Sequence, residues 1–186
     1  MSDGPHRSLP MRRGWKKVAE YAGNETFASN DIRDAIVTAI EQDWRKDISP
    51  GFVGSIQDVL GGATLFSEDS IQALEDIRQS VAGCAMGNVL LDHVVYAVSD
   101  GKSGDTALQE AVTRTATDWS ARCARQVEEH YLRKSSTENT TNVRSRIEEA
   151  IQKAPFTALA SRLLDAESRP ALRLVKHDGL DDGVTL

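Results

Sequence analysis

The stretch Ser70–Lys134, SIQALEDIRQSVAGCAMGNVLLDHVVYAVSDGKSGDTALQEAVTRTATDWSARCARQVEEHYLRK, decides the fold class. Leu74, Ile77, Val81, Cys84, Asn88, Leu91, Val95 and Val98 recur at alternating steps of three and four, which keeps them on one side of a helix. All are apolar except Asn88. After the short polar turn Asp100-Gly101-Lys102-Ser103-Gly104, a second stripe follows: Leu108, Val112, Trp119, Cys123, Val127 and Tyr131, completed by Thr115 and Ala116. The two arms predict a long antiparallel helical hairpin over about residues 70–134, and an all-α helical bundle organised around it. An arm of about thirty residues spans roughly 45 Å, so its stripe must be buried on more than the partner arm alone.

Gly83 and Gly87 interrupt the first arm, each costing roughly 1 kcal/mol against alanine in a helix interior. One continuous helix is expected, with a kink or a break at the glycines as the alternative. Reflecting the hairpin about Lys102 sets Trp119 opposite Ala85, so Gly83 and Gly87 read as room for the Trp119 indole or for close backbone approach. The same register brings Cys84 and Cys123 within about one turn of each other. Both lie on apolar stripes, and two buried free thiols are expected.

Outward from the hairpin, further helices follow from the same spacing. Trp15, Val18, Ala19 and Ala22 predict a short helix ending at Gly23-Asn24. Ile32, Ala35, Ile36, Ala39, Ile40 and Trp44 predict a second, capped by Ser29 or Asn30, with Asp31 in its first turn. Ser49-Pro50 opens a third along Phe52, Val53, Ile56, Val59 and Leu60, ending at Gly61-Gly62. The second and third helices are the expected cover for the hairpin. The polar run 135–142 reads as a loop, with Asn142 capping the helix of Val143, Ile147, Ala150 and Ile151. Pro155 separates that helix from a last one, Phe156 to Leu164. Residues 1–13 read as a mobile basic tail, 14–166 as one helical domain, and 167–186 as a C-terminal tail whose Ala171–Lys176 alternates apolar and basic residues.

Composition bounds the function. The chain has 186 residues, 40% hydrophobic and 27% charged, with a formal charge of −6. That suits one soluble domain and disfavours a dedicated nucleic-acid binder. No apolar segment follows the basic start, as a secretory signal would require, and no run is long enough to span a bilayer. A cytoplasmic location is expected. Basic residues cluster at Arg12, Arg13, Lys16 and Lys17, a candidate anion or nucleic-acid contact. A solvated, solubilising terminus is the plainer reading of them.

Catalytic signatures fail on inspection. Gly-Lys-Ser at 101–103 lacks the upstream glycine of a phosphate loop, that position being Tyr96, and it follows a helix where a strand is needed. The same turn lacks the glycine and terminal Glu of a calcium loop. Glu129 directly precedes His130 and Asp92 directly precedes His93, so neither makes the Glu-x-x-His pair of a di-metal bundle. Cys123 and His130 stand two turns apart, too far for a thiolate–imidazole pair. Residues 30–60 have the outline of a helix-turn-helix, but the second helix carries no Arg or Lys to meet phosphates.

No catalytic residue, metal or cofactor is therefore expected. Three readings remain. The first is a non-enzymatic protein–protein interaction protein: an adaptor, chaperone, inhibitor or structural subunit acting with a protein partner or as a homo-oligomer such as a homodimer. The second is a small ligand-binding protein or enzyme with a pocket near Asp92 and His93. The third is nucleic-acid contact through the basic N-terminal segment.

Overall fold

A computed structural model describes residues 11–48, 51–61, 68–134 and 140–168. Among these the chain forms eight α-helices and no strand: α1 (Arg13–Gly23), α2 (Ser29–Asp47), α3 (Phe52–Gly61), α4 (Glu68–Ser80), α5 (Ala85–Ser99), α6 (Gly104–Lys134), α7 (Thr140–Lys153) and α8 (Phe156–Ser168). None of them is long and apolar enough to cross a membrane.

The 31 residues of α6 form the spine. It packs on α1, α2, α3, α5, α7 and α8, and every other helix except α4 touches it. Its predicted stripe is the buried one, from Leu108 through Val112, Thr115, Ala116, Trp119 and Cys123 to Val127. Opposite it, α2 buries Ile32, Ile36, Ala39, Ile40 and Trp44, and α5 buries Met86, Leu90, Leu91 and Val94. These side chains form one continuous core with Trp15 and Val18 of α1 and Ile147 of α7.

The hairpin is α5 with α6, and its first arm is shorter than the sequence suggests. The arm breaks after Ser80, and α5 starts only at Ala85. The cause is Gly83, whose φ of +90° lies in the left-handed region that side chains avoid. Cys84 then caps the new helix, its Sγ accepting the Gly87 amide at 3.2 Å. The glycines make no room for Trp119. A Cβ at Gly83 would meet nothing within 4 Å, and one at Gly87 would meet Cys84 Sγ at 3.0 Å and Phe52 at 3.6 Å.

The register differs too. His93 pairs with Asp118 at 2.6 Å, Arg114 lies 5.0 Å over the Tyr96 ring, and Lys102 pairs with Glu110. The midpoints of these pairs fall near residue 105 rather than at Lys102. Trp119 therefore stands about two turns from the level of Ala85. Its indole points instead at α2.

Smaller corrections concern helix starts. The N-cap of α2 is Ala28, and Asp31 Oδ2 accepts the Ala28 amide at 3.0 Å. Asn142 lies inside the first turn of α7, which begins at Thr140. At the N-terminus Met11 and Arg12 are half-buried parts of the fold rather than tail. The expected Ser49-Pro50 start, Gly62, Ser67 (with Ser70 a candidate N-cap of the hairpin's first arm), residues 1–10, 135–139 and 169–186 lie outside the described residues.

Candidate functional site

Three places carry chemistry beyond apolar packing: a buried carboxylate between α1, α2 and α6, the surface clefts, and the face of α4.

The carboxylate is Asp43, 3% exposed. It lies on the inner stripe of α2, continuing Ile32, Ile36 and Ala39 at helical steps, with Asp47 one turn on. Asp43 Oδ2 accepts two indole N–H bonds, from Trp15 of α1 at 2.8 Å and from Trp119 of α6 at 2.7 Å. Its Oδ1 accepts from Arg12 Nη1 at 2.9 Å. The same guanidinium forks onto Asp47, Nη1 to Oδ1 at 2.9 Å and Nη2 to Oδ2 at 2.7 Å. Arg12 reaches both acids because it stands at the N-cap of α1 in extended conformation. The hydrogen bonds that Arg12 donates to Asp47, joined by the charge of Asp43, raise the Arg12 pKa above its ordinary value. One further link closes the cluster: Cys84 Sγ–H donates to the Asp47 carbonyl at 2.5 Å.

A buried carboxylate is tolerable only when its lone pairs are answered. Here two oxygens meet three donors drawn from two other helices. The cluster ties α1, α2, the start of α5 and α6 together, and this is its evident use. Trp44, next in sequence, contrasts with it: its buried Nε1 has no partner among the described residues.

The thiols sit beside this cluster without bonding to each other. Burial pushes the Cys123 thiol up to about 12, and the Asp43 charge adds to the effect. Burial also raises Cys84, though less, as its side chain is half-buried. The folded Cys123 thus holds its proton more tightly than the unfolded chain does. Its contribution is complete below the free-thiol range near pH 8.5 and is lost as pH rises from there toward about 12. Alkylation with iodoacetamide in mildly alkaline buffer should modify Cys84 first and leave Cys123 untouched until the chain is unfolded. Peptide mass spectrometry reads this directly. Equal labelling of both thiols in the folded protein would contradict the burial of Cys123.

The predicted basic cluster divides. Arg12 is committed to Asp43 and Asp47, whereas Arg13, Lys16 and Lys17 are exposed on α1. Lys17 lines an open cleft of about 240 Å³ between α1 and α2, together with Tyr21, Phe27, Asp31 and Asp34. Tyr21 and Phe27 pack with ring centroids 4.5 Å apart and planes tilted by 59°. The residues around Asp92 and His93 are turned to other work. Asp92 pairs with Arg78 of α4 at 2.6 Å, and His93 bridges to Asp118 across the hairpin. Neither lines this cleft or the smaller ones at Tyr131–Arg146 and Leu60–Asp105. No group of three or more His, Cys, Asp or Glu side chains among the described residues is placed to hold a metal ion.

The third place is α4. Among the described helices it touches only α3 and α5, and of its 13 residues Leu74 alone is buried. Ala73 and Ile77 are half-covered, and Ile71 is 47% exposed. Glu68, Ile71, Gln72, Glu75 and Gln79 are all exposed and fall at helical spacing on one stripe. A helix this short is marginal in water by itself and relies on packing of its apolar side. Here Leu74 is covered, Ala73 and Ile77 are partly covered, and Ile71 is left exposed.

Sequence reading did not single out Asp43. The signal was present: an acid continuing the inner stripe of α2, with three tryptophans in a chain only 5% aromatic. No protein-family model, curated protein or solved structure matches the chain.

Proposed function

We propose that the protein is a non-enzymatic, all-helical interaction module whose α4 face receives a protein partner. The observation that carries this reading is the thin burial of α4, with Leu74 its one buried residue and Ile71 left 47% exposed. The central helices bury far more: α2 has six buried residues, α5 six and α6 eleven, although Tyr96 of α5 and Leu132 of α6 also stand exposed. The scaffold is rigid where Asp43 ties α1, α2 and α6, and α4 is attached to it chiefly through α3 and α5. A rigid base with one lightly held amphipathic helix suits helix-to-helix recognition. Adaptor, inhibitor and structural subunit are roles that such a face serves. A reducing, cytoplasmic setting accords with two cysteines that stand as free thiols.

A photoreactive amino acid placed at position 71 tests the reading in cells that make the protein. Position 152, exposed on α7, is the control. A discrete cross-linked protein at 71 and none at 152 is the expected result. Equal adducts at both positions, or none at 71, would overturn it.

A further inference from the structure

We infer that the corner between α4 and α5 is a latch: it is pinned to the end of α2 through Cys84, and its opening sets how often α4 lifts from the scaffold. The bearing of this on recognition rests on the interaction reading above, whose face the latch regulates.

Residues 81–84 make the corner. Its backbone bonds stay local: the Val81 amide donates to the Ile77 carbonyl at 3.2 Å, Ala82 to Gln79 at 3.3 Å and Cys84 to Val81 at 2.8 Å. Val81 is half-buried, and Ala82 and Gly83 are exposed. The Cys84 side chain reaches further. Its Sγ accepts the Gly87 amide of α5 and donates to the Asp47 carbonyl of α2. Asp47 is the last residue of α2, where carbonyls lack partners within their own helix. Its carboxylate is gripped by the forked Arg12 guanidinium. The seat of the latch therefore belongs to the rigid Asp43 cluster.

The rest of the attachment of α4 is slight. Leu74 is buried and Ala73 and Ile77 are half-covered. The Arg78–Asp92 pair to α5 is solvent-exposed at Asp92, and exposed pairs contribute little. Freed at the corner, α4 brings Leu74 and Ile77 into water beside Ile71. A helix of 13 residues is marginal without packing, so lifting and melting of α4 go together. Amide exchange over 68–80 consequently reports the latch.

The backbone offers a separate handle on the same corner. Gly83 has a φ of +90°, and a Cβ there would meet nothing within 4 Å. Gly83→Ala thus strains the corner without touching a neighbour. A competing role for Cys84 is capping of α5 alone. That role places the effect of losing the thiol in the first turn of α5 and leaves 68–80 unchanged.

The test is hydrogen exchange with mass spectrometry on the full chain, comparing the parent with Cys84→Ala, Cys84→Ser and Gly83→Ala. Circular dichroism confirms that each is folded. Cys84→Ala, which loses donor and acceptor, should speed exchange of 68–80 roughly fivefold. Gly83→Ala should do at least as much. Cys84→Ser keeps a donor and an acceptor and should stay within about twofold of the parent. The central amides of α2 and α6 should stay within about twofold in all three variants.

Three outcomes overturn the latch: unchanged exchange of 68–80 in Cys84→Ala, equal acceleration of every helix, or failure of serine to restore the parent rate. If the latch behaves as expected while position 71 captures no cellular protein, the corner stands as a device of the fold and the interaction reading falls. If position 71 cross-links and 68–80 ignores the corner variants, the interaction reading stands and the latch falls.

Discussion

Asp43→Ala is expected to destabilise the fold by about 3–5 kcal/mol, the range for breaking a buried ion pair from one side. The buried losses are the acceptor of the Trp15 and Trp119 indoles, which are 2% and 3% exposed. Each N–H left without a partner costs about 1–3 kcal/mol. The Arg12 contribution is smaller, because its side chain is 29% exposed and can recover water, and because Asp47 still holds it. Asp43→Asn keeps the shape but turns an amide N–H toward a donor, so it should lose about half as much. Asp34→Ala, on the same helix but with the side chain 70% exposed, should stay within about 0.5 kcal/mol. Urea unfolding gives all three values. An alanine loss below about 1 kcal/mol would show that the cluster does not hold the helices together.

The second expectation compares two tryptophans. Trp119→Phe removes a 2.7 Å hydrogen bond to a buried carboxylate and should cost about 2–3 kcal/mol. Trp44→Phe removes an indole N–H that is buried and has no partner among the described residues, so the lost volume is offset by relief of desolvation. It should fall within about 1 kcal/mol of the parent chain. The two changes delete the same atoms from residues equally buried, at 3% and 2% exposure. Their difference therefore isolates what Asp43 contributes. Equal costs for the two would contradict the assignment.

Helix identity was legible because burial follows the 3.6-residue period. The stripes of α1, α2, α3 and α6 pick out the core residues found, and the ends at Gly23, Gly61 and Pro155 follow from backbone chemistry. The all-α class needed nothing more. What stayed hidden depends on contacts between distant segments. Whether Gly83 sits in a helix or in a left-handed turn is decided by the packing on both sides of it. The hairpin register is set by pairs such as Lys102–Glu110 and His93–Asp118, not by the midpoint of the turn. Arg12 read as a solvated cation because its partners lie 31 and 35 residues away. Asp43 looked like one more acid on a charged helix, since only the approach of α1 and α6 makes it buried. The exposure of α4 was equally invisible: Leu74, Ile77 and Val81 continue the same stripe as the better-buried α5, and periodicity does not say how much of a stripe is covered.

Hydrogen exchange followed by mass spectrometry on the isolated protein tests most directly whether α4 is a lightly held face on a rigid scaffold. Amides of 68–80 are expected to exchange far faster than those of α2, α5 and α6, because local opening of a helix with one buried residue exposes little apolar surface. A bound partner should slow them selectively. Protection of α4 equal to that of α5 in the isolated chain would contradict the account, for it would mean that the helix is already fully held and has no uncovered side to offer.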